Sequence, residues 1–249
     1  MSLARLSNHK TPAAWLRPVV GSPLGAFAAM AVALVPAIVA LTFVLPASGA
    51  SSAMLALVCF TIGVTASGRA LHLRYPHARL GACNVITLTR LAMTMTLLGP
   101  LVAGVGPSWA VLSVALVAFA LDGIDGWVAR RHGNASNFGA RFDLEVDSAL
   151  ALVLAIGATT GGTAGPAAIL LGLPRYLFAA GMWFFPWMRQ DLPQRFSRKT
   201  VCVAQLGTLI ALQAPVLPAV AAPVLVAVAL ALLAWSFMVD LVWLWRHRT

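Results

Sequence analysis

Charge is scarce in this chain. Only 10% of its residues are Asp, Glu, Lys or Arg, where a soluble domain carries about 25%. With 60% hydrophobic residues and a mean hydropathy of +0.88, an ordinary soluble domain is excluded. Cysteine is nearly absent too. Cys59, Cys83 and Cys202 sit in or beside apolar runs without paired spacing, which excludes a zinc cluster or a disulfide framework and leaves packing as their expected role. Long linkers and low-complexity runs are missing. The formal net charge is +10, but the 17 Lys and Arg are scattered rather than gathered on one soluble face. A nucleic-acid partner is therefore not expected.

What is present is a succession of apolar spans, near residues 24–46, 51–68, 84–105, 108–129, 144–164, 166–188, 199–214 and 218–245. Most approach the ~20 residues that a membrane-crossing helix needs, the second, fifth and seventh being short. The intervals between them alternate. Residues 47–50, 106–107, 165 and 215–217 are uncharged, whereas the N-terminus (Arg5, Lys10, Arg17), 69–83, 130–143, 189–198 and the C-terminus hold nearly all the cations. By the positive-inside rule both termini face the cytoplasm. The expected fold is thus an all-α polytopic membrane protein of about eight transmembrane helices. The first span, with Pro46-Ala47-Ser48-Gly49-Ala50 after it, is longer than a secretory h-region and is expected to stay as a membrane helix. It and the second span contain no ionisable residue, so they read as an accessory hairpin over residues 1–79.

Acids are the scarcest charge, and their placement is the strongest signal. Five of the 7 carboxylates fall between Asp122 and Asp147. Four of them follow the pattern D-x-x-D-G-x-x-A-R-x8-G-x3-D-x3-D: Asp122, Asp125, Gly126, Ala129, Arg130, Gly139, Asp143, Asp147. A carboxylate is costly beside hydrocarbon, so such a cluster in a membrane chain marks a functional site. Asp122 and Asp125 are separated by i,i+3 and Asp143 and Asp147 by i,i+4, which puts each pair on one helical face. The polar, Gly-containing stretch 131–139 reads as the turn that brings the two faces together. Converging like charges need cations, and hard divalent ions with oxygen ligands, Mg²⁺ or Mn²⁺, suit them. Gly126 and Ala129 leave a face without bulk, against which a nucleobase or ribose could lie, and Arg130 is placed for a phosphate. The whole suits phosphoryl-group transfer with a carboxylate as base.

Asp122 to Asp147 resembles the signature of the CDP-alcohol phosphatidyltransferase family, with every defining position present. The resemblance implies a six-helix core, preceded here by the two-helix hairpin, and a catalytic domain over residues 80–249. It implies transfer of a phosphatidyl group from a CDP-linked lipid, in bacteria most often CDP-diacylglycerol, to an alcohol, with release of CMP in the inner membrane. Asp122, Asp125, Asp143 and Asp147 would hold two divalent ions, and Asp147 would deprotonate the acceptor hydroxyl. Gly126, Ala129, Arg130 and Gly139 would form the CDP pocket. Family members are often homodimers.

Further residues fit less specifically. Asn84, Thr87 and Arg90 share a helical face at i, i+3, i+6 and match residues near the family's nucleotide pocket, although a polar cap followed by a snorkelling Arg would look the same. Arg175, after Pro174 and about ten residues into the sixth span, is costly unless it faces a polar cavity or an anion. An acceptor pocket is the expected reason, against simple pairing with an acid. Related enzymes often carry Glu where this chain has Tyr176, which argues against the phosphatidylglycerophosphate synthase branch. Arg195, Arg198 and Lys199, with Thr200 and Gln205, read equally as acceptor ligands or as anchors to anionic headgroups. Together with Arg175 they lean toward an anionic acceptor. Glu145 is expected to point away from Asp143 and Asp147 and to pair with Arg130, Arg131 or Arg141. Two other readings compete: an ion-coupled transporter, against which the acids gather at one mouth, and a catalytically silent scaffold, against which the motif is intact.

Overall fold

The computed structural model describes residues 22–47, 49–132, 136–190, 192–193 and 195–247, without the side chains of 124–132. Within these residues the chain is helical and contains no strand. The helices are α1 (Pro23–Val44), α2 (Ala50–Arg74), α3 (Ala82–Thr96), α4 (Leu98–Val102) and α5 (Trp109–His132). They continue with α6 (Asn137–Thr160), α7 (Ile169–Gly172), α8 (Pro174–Phe184), α9 (Phe196–Ala211) and α10 (Ala221–Arg246). The protein is an all-α polytopic membrane protein.

Helices lie at each of the expected spans, but their lengths and chemistry differ. Among the described residues, four stretches are long and apolar enough to cross a membrane: α1, α2, α3 with α4, and α10. The sixth span is broken. Its two parts, 166–172 and 174–184, are bent by 63°, and it makes a fifth crossing if counted as one. Pro174 explains the break, since it brings no N–H to the helix and suits the first position of a new one. The fifth and seventh spans fall short of an uninterrupted apolar crossing. Helix α6 carries Arg141, Asp143, Glu145 and Asp147, and α9 has only 16 residues. The second span runs on to Arg74 and is longer than its apolar core suggests.

Helix α3 is the hub. Its span is 67% buried, where those of α1, α2 and α10 are 17–28% buried, and it packs against α1, α2, α5 and α6. Its threonines suit that place, because Thr87 and Thr94 donate to the carbonyls of Cys83 and Arg90 one turn back, so no hydroxyl enters the core unpaired. Two apolar clusters flank α3. One joins α4, α5, α6, α9 and α10, and the other joins α1, α2, α3 and α6. In the second, Phe27 of α1 meets Phe142 edge-on at 5.9 Å, and Phe142 stacks on Phe138 at 5.7 Å. The hairpin therefore docks on the first turns of α6.

Two caps set where α1 and α6 begin. Ser22 Oγ accepts from Gly25 N, and Ser136 Oγ accepts from Gly139 N, both at 3.0 Å. Gly157 lets α6 approach α4, for a Cβ there would lie 2.3 Å from Leu101 Cδ2.

Candidate active site

The acidic motif folds back on α3. Helix α5 brings Asp122 and helix α6 brings Asp143 and Asp147, and one ligand oxygen from each lies within 4.8 Å of the others. At their centre is Arg90. Its Nη1 pairs with Asp122 Oδ1 at 2.9 Å and with Asp143 Oδ1, and its Nη2 with Asp147 Oδ1. Its Nε donates to Ala118 O at 3.0 Å. The Arg90 side chain is 1% exposed, while the three carboxylates are about one-third exposed. The guanidinium is thus the floor of the site and the carboxylates are its open side.

Arg90, expected with Asn84 and Thr87 near the nucleotide pocket, has its guanidinium committed to the carboxylates and a backbone carbonyl. Six residues along α3 from Asn84, it meets both α5 and α6. Nothing in the motif's own spacing indicates the partnership, because the Arg comes from another helix 32 residues earlier than Asp122.

Asn84 and Thr87 are buried in α3. Asn84 Nδ2 donates to the Tyr75 hydroxyl at 3.2 Å, and its buried Oδ1 has no hydrogen-bond partner among the described residues. Gly139 lies beside that oxygen: a Cβ on it would come 3.0 Å from Asn84 Oδ1. Asn84 and Gly139, 55 positions apart, are brought to one spot. Tyr75 was not singled out from the sequence. Its hydroxyl also accepts from Gly81 N at 3.0 Å and reaches Arg79 O at 3.1 Å, so it ties the α2–α3 connection to the start of α3. A lone Tyr after a helix carries no signal that would have found it. The side chains of Asp125, Gly126, Ala129 and Arg130 lie outside the described residues, although their backbone continues α5.

The cations expected at the acceptor divide. A cavity of about 250 Å³ opens beside Asp147, with Arg175, Arg198, Gln205, Cys202 and Asp240 in its wall. Arg195 and Lys199 are not in that wall, and Lys199 is exposed. Arg175 stands at the start of α8 rather than in the middle of a continuous helix, because the chain breaks at Pro174. Its Nη2 pairs with Glu145. The described partner of Glu145 is Arg175 and not Arg141, while the side chains of Arg130 and Arg131 lie outside the described residues. Asp240 of α10, to which no sequence motif points, pairs with Arg198 and Arg195.

The donor set fits a divalent cation. It is made of carboxylate oxygens alone, partly open to solvent, and one buried guanidinium already sits among them as a positive charge. Asp122, Asp143 and Asp147 bring three negative charges against the single charge of Arg90, which leaves room for a hard divalent ion.

The family model for CDP-alcohol phosphatidyltransferase matches residues 80–239. The chain belongs to this family. It is therefore a transferase of substituted phosphate groups, one that moves a phosphatidyl group from a CDP-alcohol. Comparison with curated proteins gives no match, and comparison with solved structures gives none either. The match starts after α2, so the transferase carries its hairpin outside the family region.

Proposed function

We propose that this enzyme transfers the phosphatidyl group of CDP-diacylglycerol to the hydroxyl of a small alcohol, releasing CMP, as a step of phospholipid synthesis at the cytoplasmic face of a bacterial inner membrane. The observation that carries the reading is the convergence of Asp122, Asp143 and Asp147 around one point, in a chain of this family. The acceptor hydroxyl oxygen forms a bond to the phosphorus that bears diacylglycerol. The bond from that phosphorus to the CMP oxygen breaks, and CMP leaves. The acceptor proton goes to a carboxylate.

Asp147 is the carboxylate best situated to take that proton. It belongs both to the acidic cluster and to the wall of the 250 Å³ cavity, so it faces the donor's reacting end and the acceptor at once. Mg²⁺ or Mn²⁺, two ions in the family pattern, would be held by Asp122, Asp125, Asp143 and Asp147 and would supply charge neutralisation at the pyrophosphate. Arg90 keeps the carboxylates from repelling each other and fixes their orientation. Asn84 and Gly139 suit the nucleotide end: the orphaned Asn84 Oδ1 is a buried acceptor, and a donor group on CDP would satisfy it. Gly126, Ala129 and Arg130 complete that pocket in this reading. The enzyme would work as a homodimer.

The test is CMP release from CDP-diacylglycerol by the purified protein in detergent, with Mg²⁺ or Mn²⁺ and a panel of alcohols. Release that needs both metal and alcohol supports the reading. Release unaffected by chelation or by omission of alcohol would contradict it.

A further inference from the structure

The cavity beside Asp147 has cations in its wall, but they are already matched by carboxylates. Arg198 grips Asp240 with two donors, Nε to Oδ2 and Nη2 to Oδ1, each at 2.9 Å. Arg195 adds Nη1 to Oδ1 at 3.3 Å. Asp240 is only 6% exposed, so it is a buried acid held by two guanidinium groups. Arg175 is paired with Glu145. Both described cations of the cavity wall, Arg175 and Arg198, therefore already have a carboxylate partner.

A phosphorylated acceptor would bring about −1.5 to −2 charges into that balance. To bind Arg198 it would have to displace the Asp240 carboxylate or lie beside it. Displacement leaves a buried carboxylate without its partners, and juxtaposition sets like charges together; both are unfavourable. A neutral polyol meets neither obstacle. Its hydroxyls can donate to Asp240 and accept from Arg198 without breaking their fork. The remaining walls include Phe178 and Phe237, which meet edge-on at 6.2 Å and offer apolar surface to the C–H face of such a molecule. The volume, about 250 Å³, is below the roughly 300–1,000 Å³ of pockets for drug-sized ligands, so the acceptor is small.

We infer that Asp240 is a specificity determinant, the resident counter-ion of Arg195 and Arg198, and that it sets this pocket for a small polyol without a phosphate group. The inference rests on the transferase reading above and narrows its acceptor. It also turns the charge lean of the sequence around: four basic residues suggest an anionic acceptor, but three are matched by acids and the fourth, Lys199, is outside the cavity wall.

The experiment uses pairs of acceptors that differ only by phosphate, glycerol with glycerol 3-phosphate and inositol with inositol 1-phosphate. CMP release from CDP-diacylglycerol is followed for the full-length protein and for Asp240→Asn. The wild type should favour the phosphate-free member of at least one pair by about 10-fold or more in kcat/KM, the scale of one uncompensated like-charge contact. Asp240→Asn should move the ratio toward the phosphorylated member by about 10-fold, with the donor KM unchanged. A structural role alone would lower both acceptors equally. A wild type that prefers the phosphorylated member overturns the inference, and so does a folded Asp240→Asn with an unmoved ratio. If that variant does not fold, the wild-type ratio decides alone. CMP release with no alcohol of either kind would remove the transferase reading itself, and this inference with it.

Discussion

Arg90 is the residue on which the acidic centre turns. A buried guanidinium shared by three carboxylates is a counter-ion as well as a brace, and removing one member of such a group strands the others, at a cost of about 3–5 kcal/mol in comparable cases. Arg90→Gln should therefore lower the melting temperature in chelator by several degrees. Divalent metal should restore more of the loss than it adds to the wild type, because the carboxylates have then lost the guanidinium they share. Thermal melts with and without Mg²⁺ check this; equal metal shifts in both proteins would show that Arg90 and the ion do not share the site. Asp122→Asn should weaken metal and donor binding together, since Asp122 belongs to the cluster but not to the acceptor cavity. Titration of each ligand would reveal the contrary result, a loss confined to the acceptor.

At the scale of elements, the hairpin α1–α2 is bound into the site rather than added to it. Phe27 packs on Phe142 one residue from Asp143, and Tyr75 at the end of α2 holds Asn84 and Gly81. Tyr75→Phe should cost about 1 kcal/mol of stability for its lost hydrogen bonds and raise the donor KM more than the acceptor KM. Steady-state kinetics separate the two, and an unchanged donor KM would disconnect Tyr75 from the nucleotide end. Gly157→Val should destabilise the α4–α6 contact by about 1–3 kcal/mol through overpacking, read as a lower melting temperature with the acceptor preference intact. These contacts mark the limit of what the chain discloses by itself. Helix positions and the pairing of the two Asp faces were legible because apolar runs and i,i+3 or i,i+4 spacing are local. The carboxylate partners of Arg90, and Tyr75, Asp240 and the Arg175–Glu145 pair, were not, because each depends on elements distant in sequence meeting in space. The break at Pro174 was partly legible, since the proline was visible while the 63° bend it introduces was not.

For the whole molecule, the acids lie where helices lose their apolar character. The long apolar stretches α1, α2, α3 with α4, and α10 can lie against lipid, while α5 and α6 bring carboxylates to one end of the bundle. In the orientation we propose from the positive-inside pattern, that end faces the cytoplasm. A single cysteine introduced in the 75–81 connection of a chain without Cys59, Cys83 and Cys202 should react with an impermeant maleimide only after the cell membrane is opened; labelling of intact cells would invert the topology. The central claim is that one carboxylate, Asp147, serves as base between a CDP-lipid and an alcohol. The most direct measurement is CMP release by Asp147→Asn alongside its binding of CDP-diacylglycerol. The account predicts turnover reduced by about 10²–10⁴-fold, the usual contribution of a general base, with donor binding largely kept. Near-wild-type turnover in that variant would contradict it.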